Sequence, residues 1–100
     1  MIKHVVMLNL RADHDPAELA DTMAGFDGLE LSGFTDFTHG PNRDLENKTP
    51  NHPYGFICTF NNLDALQRYQ ADQKHKRLGA RLKDMCNGGA DGIMVMDLEV

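Results

Sequence analysis

The first ten residues, Met1-Ile-Lys-His-Val-Val-Met-Leu-Asn-Leu10, limit the possible folds more than any other stretch of the chain. A β-strand turns successive side chains to opposite faces. Even positions then carry Ile2, His4, Val6, Leu8 and Leu10, and odd positions carry Lys3, Val5, Met7 and Asn9. The even face is apolar except for one imidazole. The odd face is apolar in its middle, where a solvated face would be polar. The segment reads as a strand buried on both sides. One covering layer can come from the chain's own helices, and in a chain of 100 residues the second is expected from another subunit.

The remaining elements follow from caps and periodicity. Asp15 is placed to cap a helix, Pro16 suits its first position, and Glu18 is expected to complete a capping box. Leu19, Ala20, Met23, Ala24 and Phe26 follow at helical spacing, with Gly25 and Gly28 as stop signals. Residues 31–39 read as a second strand with Phe34 on one face and Phe37 on the other. Residues 40–53 form a long polar loop, of the kind that is often functional or mobile, and are expected to act as a flap over a pocket or across a dimer edge. Residues 54–60 are a third strand, again apolar on both faces. Asn62 is placed to cap a helix carrying Leu63, Leu66 and Tyr69. A second helical register starts at Asp72, with His75, Leu78, Leu82 and Met85 on its stripe, and Asn87-Gly88-Gly89 ends it. Residues 93–100 are the last strand, with Ile93 and Val95 on one face and Met94, Met96 and Leu98 on the other.

Strand, helix, strand, strand, helix, strand is the α+β, ferredoxin-like βαββαβ order, with helices on one face of an antiparallel sheet. The whole chain, residues 1–100, is one domain. Because the sheet is apolar on its other face too, two copies are expected to pack into a dimeric α+β barrel. The homodimer face is expected to carry Val5, Met7, Phe56 and Cys58.

Charge and composition narrow the partners. The net charge is −5, and the basic residues that do gather, Lys74, Lys76, Arg77, Arg81 and Lys83, lack an aromatic stacking platform. They read as a solvated helix face, so no nucleic-acid partner is expected. No apolar run approaches the ~20 residues of a membrane span, and no leader precedes the first strand, so no membrane partner and a cytoplasmic location are expected. Cys58 and Cys86 lack metal or redox spacing, no histidine pair has ligand spacing, and no glycine run cradles a phosphate. Neither a metal nor a cofactor is expected.

Three residues remain that could carry chemistry: His4, Tyr69 and His75. On one continuous helix the last two would point about 120° apart, since six residues turn through about 600°. They can converge only if the helix breaks, and Asp72 is placed to cap a new segment. His75 then joins the apolar stripe, and with His4 it faces a pocket between sheet and helices. Val6, Leu8, Met23, Phe26, Ile57, Leu78 and Leu82 are the expected walls for a small-molecule ligand. A desolvated imidazole there favours its neutral form and can accept a proton. A phenol can donate a hydrogen bond to a carbonyl.

At these residues the chain resembles the stress-responsive A/B barrel (Dabb) family. The resemblance rests on Ile-Lys-His4-Val-Val, the strand from Phe34 to Gly40 running into Pro-Asn, and Thr-Phe60-Asn-Asn-Leu. It continues through Leu66-Gln-Arg-Tyr69-Gln-Ala-Asp-Gln-Lys-His75 and the closing Met-Asp97 strand, covering essentially the whole chain. It implies a homodimeric ferredoxin-like barrel. A plant polyketide cyclase of the family closes a linear substrate by aldol condensation, and its working histidine and tyrosine fall on His75 and Tyr69, its pocket histidine on His4. This chain departs from the family pattern in having Asp72-Gln73 where His-Pro is usual. It also has only Phe26 near the cyclase's first-helix tyrosine, and no tryptophan.

Two readings follow. In one, His75 is a base, Tyr69 a hydrogen-bond donor and His4 an orienting group acting on a carbonyl-bearing or aromatic, polyketide-like molecule, in a cyclase- or isomerase-like reaction. In the other, the domain is a non-catalytic stress-response dimer whose polar residues only satisfy one another. A cofactor-free monooxygenase on the same fold is a third reading, weakened by the missing tryptophan.

Overall fold

A computed structural model describes residues 1–100. The strands are β1 (Ile2–Leu8), β2 (Phe34–Pro41), β3 (Tyr54–Phe60) and β4 (Ile93–Glu99). They form one antiparallel sheet in the order β2-β3-β1-β4. The helices are α1 (Pro16–Asp27), α2 (Leu63–Ala71) and α3 (Gln73–Met85), and a single 3₁₀ turn (Gly89–Gly92) leads into β4. This is the α+β ferredoxin-like fold, with the core between one sheet face and the helices. No helix is long and apolar enough to cross a membrane.

β1 alternates buried and half-buried along its length, which matches its two apolar faces. Its inward residues Ile2, Val6 and Leu8 join the core, and His4 is buried among them. On β3 the inward set differs from the expectation. Register pairs Val6 with Phe56, His4 with Cys58 and Val5 with Ile57, so Phe56 and Cys58 face the helices. Phe56 is 3% exposed and Cys58 0%, whereas Ile57 is 45% exposed on the opposite face. Phe56 and Cys58 are therefore not interface residues, and Ile57 is not a pocket wall. A strand apolar on both faces carries no internal signal of which parity is inward, and a slip of one residue exchanges the faces. The outer face instead presents Val5, Met7, Ile57, Met94, Met96 and Leu98.

A bulge in β2 changes a second expectation. The register with β3 shifts between Thr35 and Thr38, and Asp36 adopts a left-handed φ of 57°. The extra residue lets Phe34 and Phe37 both turn inward. Phe34 stacks on Tyr69 with centroids 5.7 Å apart, and Phe37 on Phe26 at 6.0 Å.

The helices are set by side-chain caps. Asp15 Oδ1 accepts from Ala17 N, and Pro16 follows as expected. Glu18 does not complete a capping box. Its carboxylate takes Arg81 Nε at 2.7 Å, and Asp21 takes Arg81 Nη2 at 2.8 Å, tying α1 to α3. Gly25 does not end α1 either, which runs on to Asp27 with Gly28 as its cap. A Cβ on Gly25 would lie 2.5 Å from Leu78 Cδ2, so this glycine lets α1 and α3 approach. The 40–53 loop is cross-linked internally. Asp44 Oδ1 accepts from Lys48 N, Thr49 N and Thr49 Oγ1, while Asn42 Nδ2 donates to Thr49 Oγ1 and the His52 carbonyl.

Between α2 and α3 stands one residue. Asp72 has extended backbone, φ −67° and ψ 132°, and is both the C-cap of α2 and the N-cap of α3. Its Oδ2 accepts from His75 N at 2.9 Å. Replacing it with Ala removes that cap while leaving the packed faces untouched. Asp72→Ala should lose about 1 kcal/mol in urea unfolding with an unchanged m-value; an unaltered midpoint would mean the break does not depend on the cap.

Candidate functional site

The break at Asp72 brings the aromatic faces of Tyr69 and His75 together, with ring centroids 3.8 Å apart and planes 36° apart. Tyr69 belongs to the last turn of α2 and His75 to the first turn of α3. His4 enters from β1 opposite them, its ring 5.6 Å from Tyr69 and edge-on to it. Phe56 and Phe60 flank the imidazole at 6.3 Å and 5.6 Å. The three polar groups line one cavity of about 340 Å³, within the range of small-molecule sites.

Of the expected walls, Val6, Phe26 and Leu82 line this cavity. Leu8, Met23 and Leu78 do not: they are packed in the solid core, where Leu78 meets Gly25. Ile57 lies across the sheet. Phe56 takes the place expected of Ile57, and Ile93 and Val95 of the edge strand β4 complete the apolar wall. No residue of the 40–53 loop reaches the cavity, so this loop is not its flap. The remaining lining comes from Gln70, Lys76, Gly79 and Lys83.

Each polar group has a distinct environment. His4 Nδ1 lies 2.5 Å from Asp97 Oδ1, its direct cross-strand partner on β4. With Nδ1–H given to the carboxylate, the ring is fixed in orientation, and Nε2 is the acceptor whenever the imidazole is neutral. Sequence reasoning assigned no role to Asp97. Its signal was a lone carboxylate among Met94, Val95, Met96 and Leu98, on the face that also carries Ile93 and Val95.

Tyr69 is held well above the ordinary tyrosine pKa by burial, and further by the charges that Cys58 and Asp97 carry when ionised. It remains a neutral phenol, a hydrogen-bond donor, and its hydroxyl has no partner in the chain. Cys58, beneath it in the core, is pushed up to about 12 by burial first and Asp97 second, and stays a thiol.

His75 is held below its ordinary value by desolvation, then by the proximity of His4, with the Asp72 carboxylate and the Gln70 backbone pulling the other way. Its Nδ1 is buried with no hydrogen-bond partner. The Gln70 backbone favours the protonated ring without making a hydrogen bond to it. A buried polar atom without a partner is uncommon and asks for a reason. No group of three or more His, Cys, Asp or Glu side chains is gathered as a metal site. His39 and His14 are engaged away from the cavity, with Tyr54 Oη at 2.6 Å and the Arg11 carbonyl at 2.8 Å.

The arrangement can hold a carbonyl oxygen at the phenol while an imidazole beside it exchanges a proton with the adjacent carbon. Desolvated surroundings strengthen both interactions.

Residues 2–100 match the family described as the stress responsive A/B barrel domain. No curated protein matches the chain. Among solved structures it is similar to a dimeric ferredoxin-like protein of unknown function from Jannaschia sp. CCS1, at 46% identity and a TM-score of 0.93, covering 99% of this chain and 98% of that one. It is similar in fold to a hydroxynitrile lyase from Passiflora edulis, at 11% identity and a TM-score of 0.82, covering 99% and 92%. It is also similar in fold to SnoaB, a cofactor-independent oxygenase from Streptomyces nogalater, at 18% identity and a TM-score of 0.70, covering 99% and 91%.

The depressed pKa of His75 makes a testable prediction. Unfolded, the ring takes a proton near 6.5; folded, it resists. The unfolded state therefore binds more protons below that pH. The contribution of His75 is fully present above pH 6.5 and is lost as pH falls through the folded value. An NMR titration should put the His75 midpoint below 6.5. Urea unfolding should show that wild type loses more stability than His75→Gln between pH 7 and pH 5. Parallel losses in the two proteins would contradict a desolvated ring.

Proposed function

The chain belongs to the stress-responsive A/B barrel domain family, and on that fold we propose that it binds and transforms a small carbonyl compound by acid–base chemistry. The observation that carries this reading is that Tyr69 and His75 line one cavity with His4, which Asp97 holds in place, and that His75 Nδ1 has no partner within the chain. Tyr69 donates a hydrogen bond to the substrate carbonyl oxygen. His75 takes a proton from the carbon next to that carbonyl, leaving an enolate whose oxygen the phenol stabilises. The imidazolium then returns the proton, either to the γ-carbon where a neighbouring double bond extends the enolate to a dienolate, or to the oxygen of a second carbonyl that the enolate carbon has attacked. The first outcome is isomerisation and the second is aldol-type closure, and atoms balance in both. His4 orients the bound carbonyl, and the Asp97 carboxylate holds its ring.

The short His4–Asp97 contact favours one variant of this reading, in which His4 Nε2 is the base. A carboxylate on Nδ1 fixes the tautomer and aims the far nitrogen, Nε2, as the acceptor. The two variants separate by mutation: Asp97→Asn removes the carboxylate without emptying the pocket. It should leave kcat within a few fold when His75 is the base, and lower it about 100-fold or more when His4 is.

The family's other reading, a domain without catalysis, has less support here, because structural polar groups are expected to bond one another and His75 does not. We also propose that the protein works as a homodimer through its outer sheet face, with a cytoplasmic location in keeping with the free thiols of Cys58 and Cys86. Met96 and Leu98, 47% and 54% exposed, sit with Ile57 on an apolar face of the kind that marks an interface. The similar Jannaschia protein is described as dimeric.

Turnover of small β-dicarbonyl and polyketone compounds, followed by loss of absorbance of the enolised substrate, tests the reaction. His75→Ala and Tyr69→Phe should each lower kcat by 100-fold or more; activity within threefold of wild type in both would remove them from the mechanism. Sedimentation should give about twice the 11.2 kDa chain mass, and Met96→Glu should shift the protein toward monomer. A wild-type monomer at micromolar concentration would rule out the dimer.

A further inference from the structure

The cavity has a mouth whose chemistry differs from its floor. Lys76 and Lys83 flank it from α3, two turns apart on one helix face. Neither joins any of the chain's ion pairs, which engage His4, Arg11 and Arg81. No aspartate or glutamate lines the cavity. A chain of net charge −5 therefore presents two unpaired cations at the opening of an otherwise apolar pocket. Between them stands Gly79, also part of the lining. A Cβ built there meets nothing within 4 Å. Glycine weakens a helix interior, and at this position no neighbouring atom requires it. What its missing side chain does is leave the gap between the lysines clear, facing Ile93 and Val95 of the edge strand.

We infer that the pocket admits its ligand between α3 and β4, past Gly79, and that the ligand is anionic. It has an apolar, carbonyl-bearing body, which goes inward to Tyr69 and His75, and a carboxylate that stays at the mouth with Lys76 and Lys83. This rests on the pocket reading above and adds the substrate's charge and direction. The polarity of the site fits this order. A carboxylate on the floor would be desolvated against Phe26 and Phe56, whereas at the mouth it keeps partial hydration and two cations.

The test uses two probes of one shape, 2-naphthoate and its neutral amide 2-naphthamide. The chain has no tryptophan, so naphthalene fluorescence can be followed without that background. Wild type should bind the carboxylate on the order of tenfold more tightly than the amide at low salt, two partly solvated ion pairs supplying about that factor. The preference should shrink as salt is added. The double variant Lys76→Gln/Lys83→Gln should bind both probes alike, with amide affinity unchanged. Gly79→Leu, which fills the gap with a better helix former, should weaken both probes at least tenfold. Equal binding by wild type, or a preference that survives the double substitution, overturns the anionic ligand while leaving the pocket reading intact. Undiminished binding to Gly79→Leu overturns the route. Binding of neither probe to wild type overturns the pocket reading itself, and this inference with it.

Discussion

A single carboxylate organises the candidate site. Asp72 ends one helix and starts the next, its extended backbone making the corner and its Oδ2 holding the first turn of α3 through His75 N. Without that corner, Tyr69 and His75 would diverge by about 120° around one helix. With it, their rings lie 3.8 Å apart over the sheet. The interaction is local, but its consequence is long-range. It turns α3 so that Leu78 meets Gly25 of α1 while His75 looks toward β1, and it gives the sheet's one buried histidine two polar companions. Asp72 also stands where a His-Pro pair is usual in the family resemblance. A capping carboxylate and a proline are different ways of stopping a helix, one by competing for its amides and the other by lacking one.

The polar groups around the cavity are unequal in their satisfaction. His4 commits Nδ1 to Asp97, and such a pair contributes orientation in a low-dielectric setting. Tyr69 and His75 have no comparable partners. A core built for stability alone would bond His75 Nδ1 or replace the ring with an apolar side chain, since an unpaired buried group costs about 1–3 kcal/mol. The ring's retention beside an opening of about 340 Å³ is the physical basis for the ligand reading. The same reasoning separates the two faces of the sheet. The inner face is closed by helices, and the outer one carries Ile57, Met94, Met96 and Leu98 with no cover from the chain.

The sequence told most where local chemistry was decisive. Asp15-Pro16 and Asn62 mark helix starts, and the corner at Asp72 follows from capping and periodicity before any contact is known. The convergence of His4, Tyr69 and His75 was likewise legible, because face parity and one break determine it. Parity failed on β3. Tyr54-Gly-Phe-Ile-Cys-Thr-Phe60 is apolar on both faces, and only pairing with β1 decides that Phe56 and Cys58 go inward. Phe34 and Phe37 were assigned to opposite faces because the bulge at Asp36, a residue that tolerates left-handed backbone, leaves no pattern in the hydrophobic residues. Asp97 was visible as a carboxylate between Met96 and Leu98 of an otherwise apolar run, but its partner depends on register across 93 residues of chain. Glu18 fitted a local motif and lost it to Arg81, a tertiary contact.

The central claim is that Tyr69 and His75 are held in place for a ligand and not for one another. A thermodynamic cycle on stability tests it without any substrate: thermal or urea unfolding of wild type, Tyr69→Phe, His75→Leu and the double variant. Tyr69→Phe removes a hydroxyl and keeps the ring, and His75→Leu removes the partnerless Nδ1 with the rest of the imidazole while keeping a side chain of similar size. The account predicts that each variant is as stable as wild type or more so, and that the two effects add to within about 0.5 kcal/mol. Losses of about 1–3 kcal/mol in the single variants, with strong non-additivity in the double, would show that the two side chains are a structural pair and would contradict it.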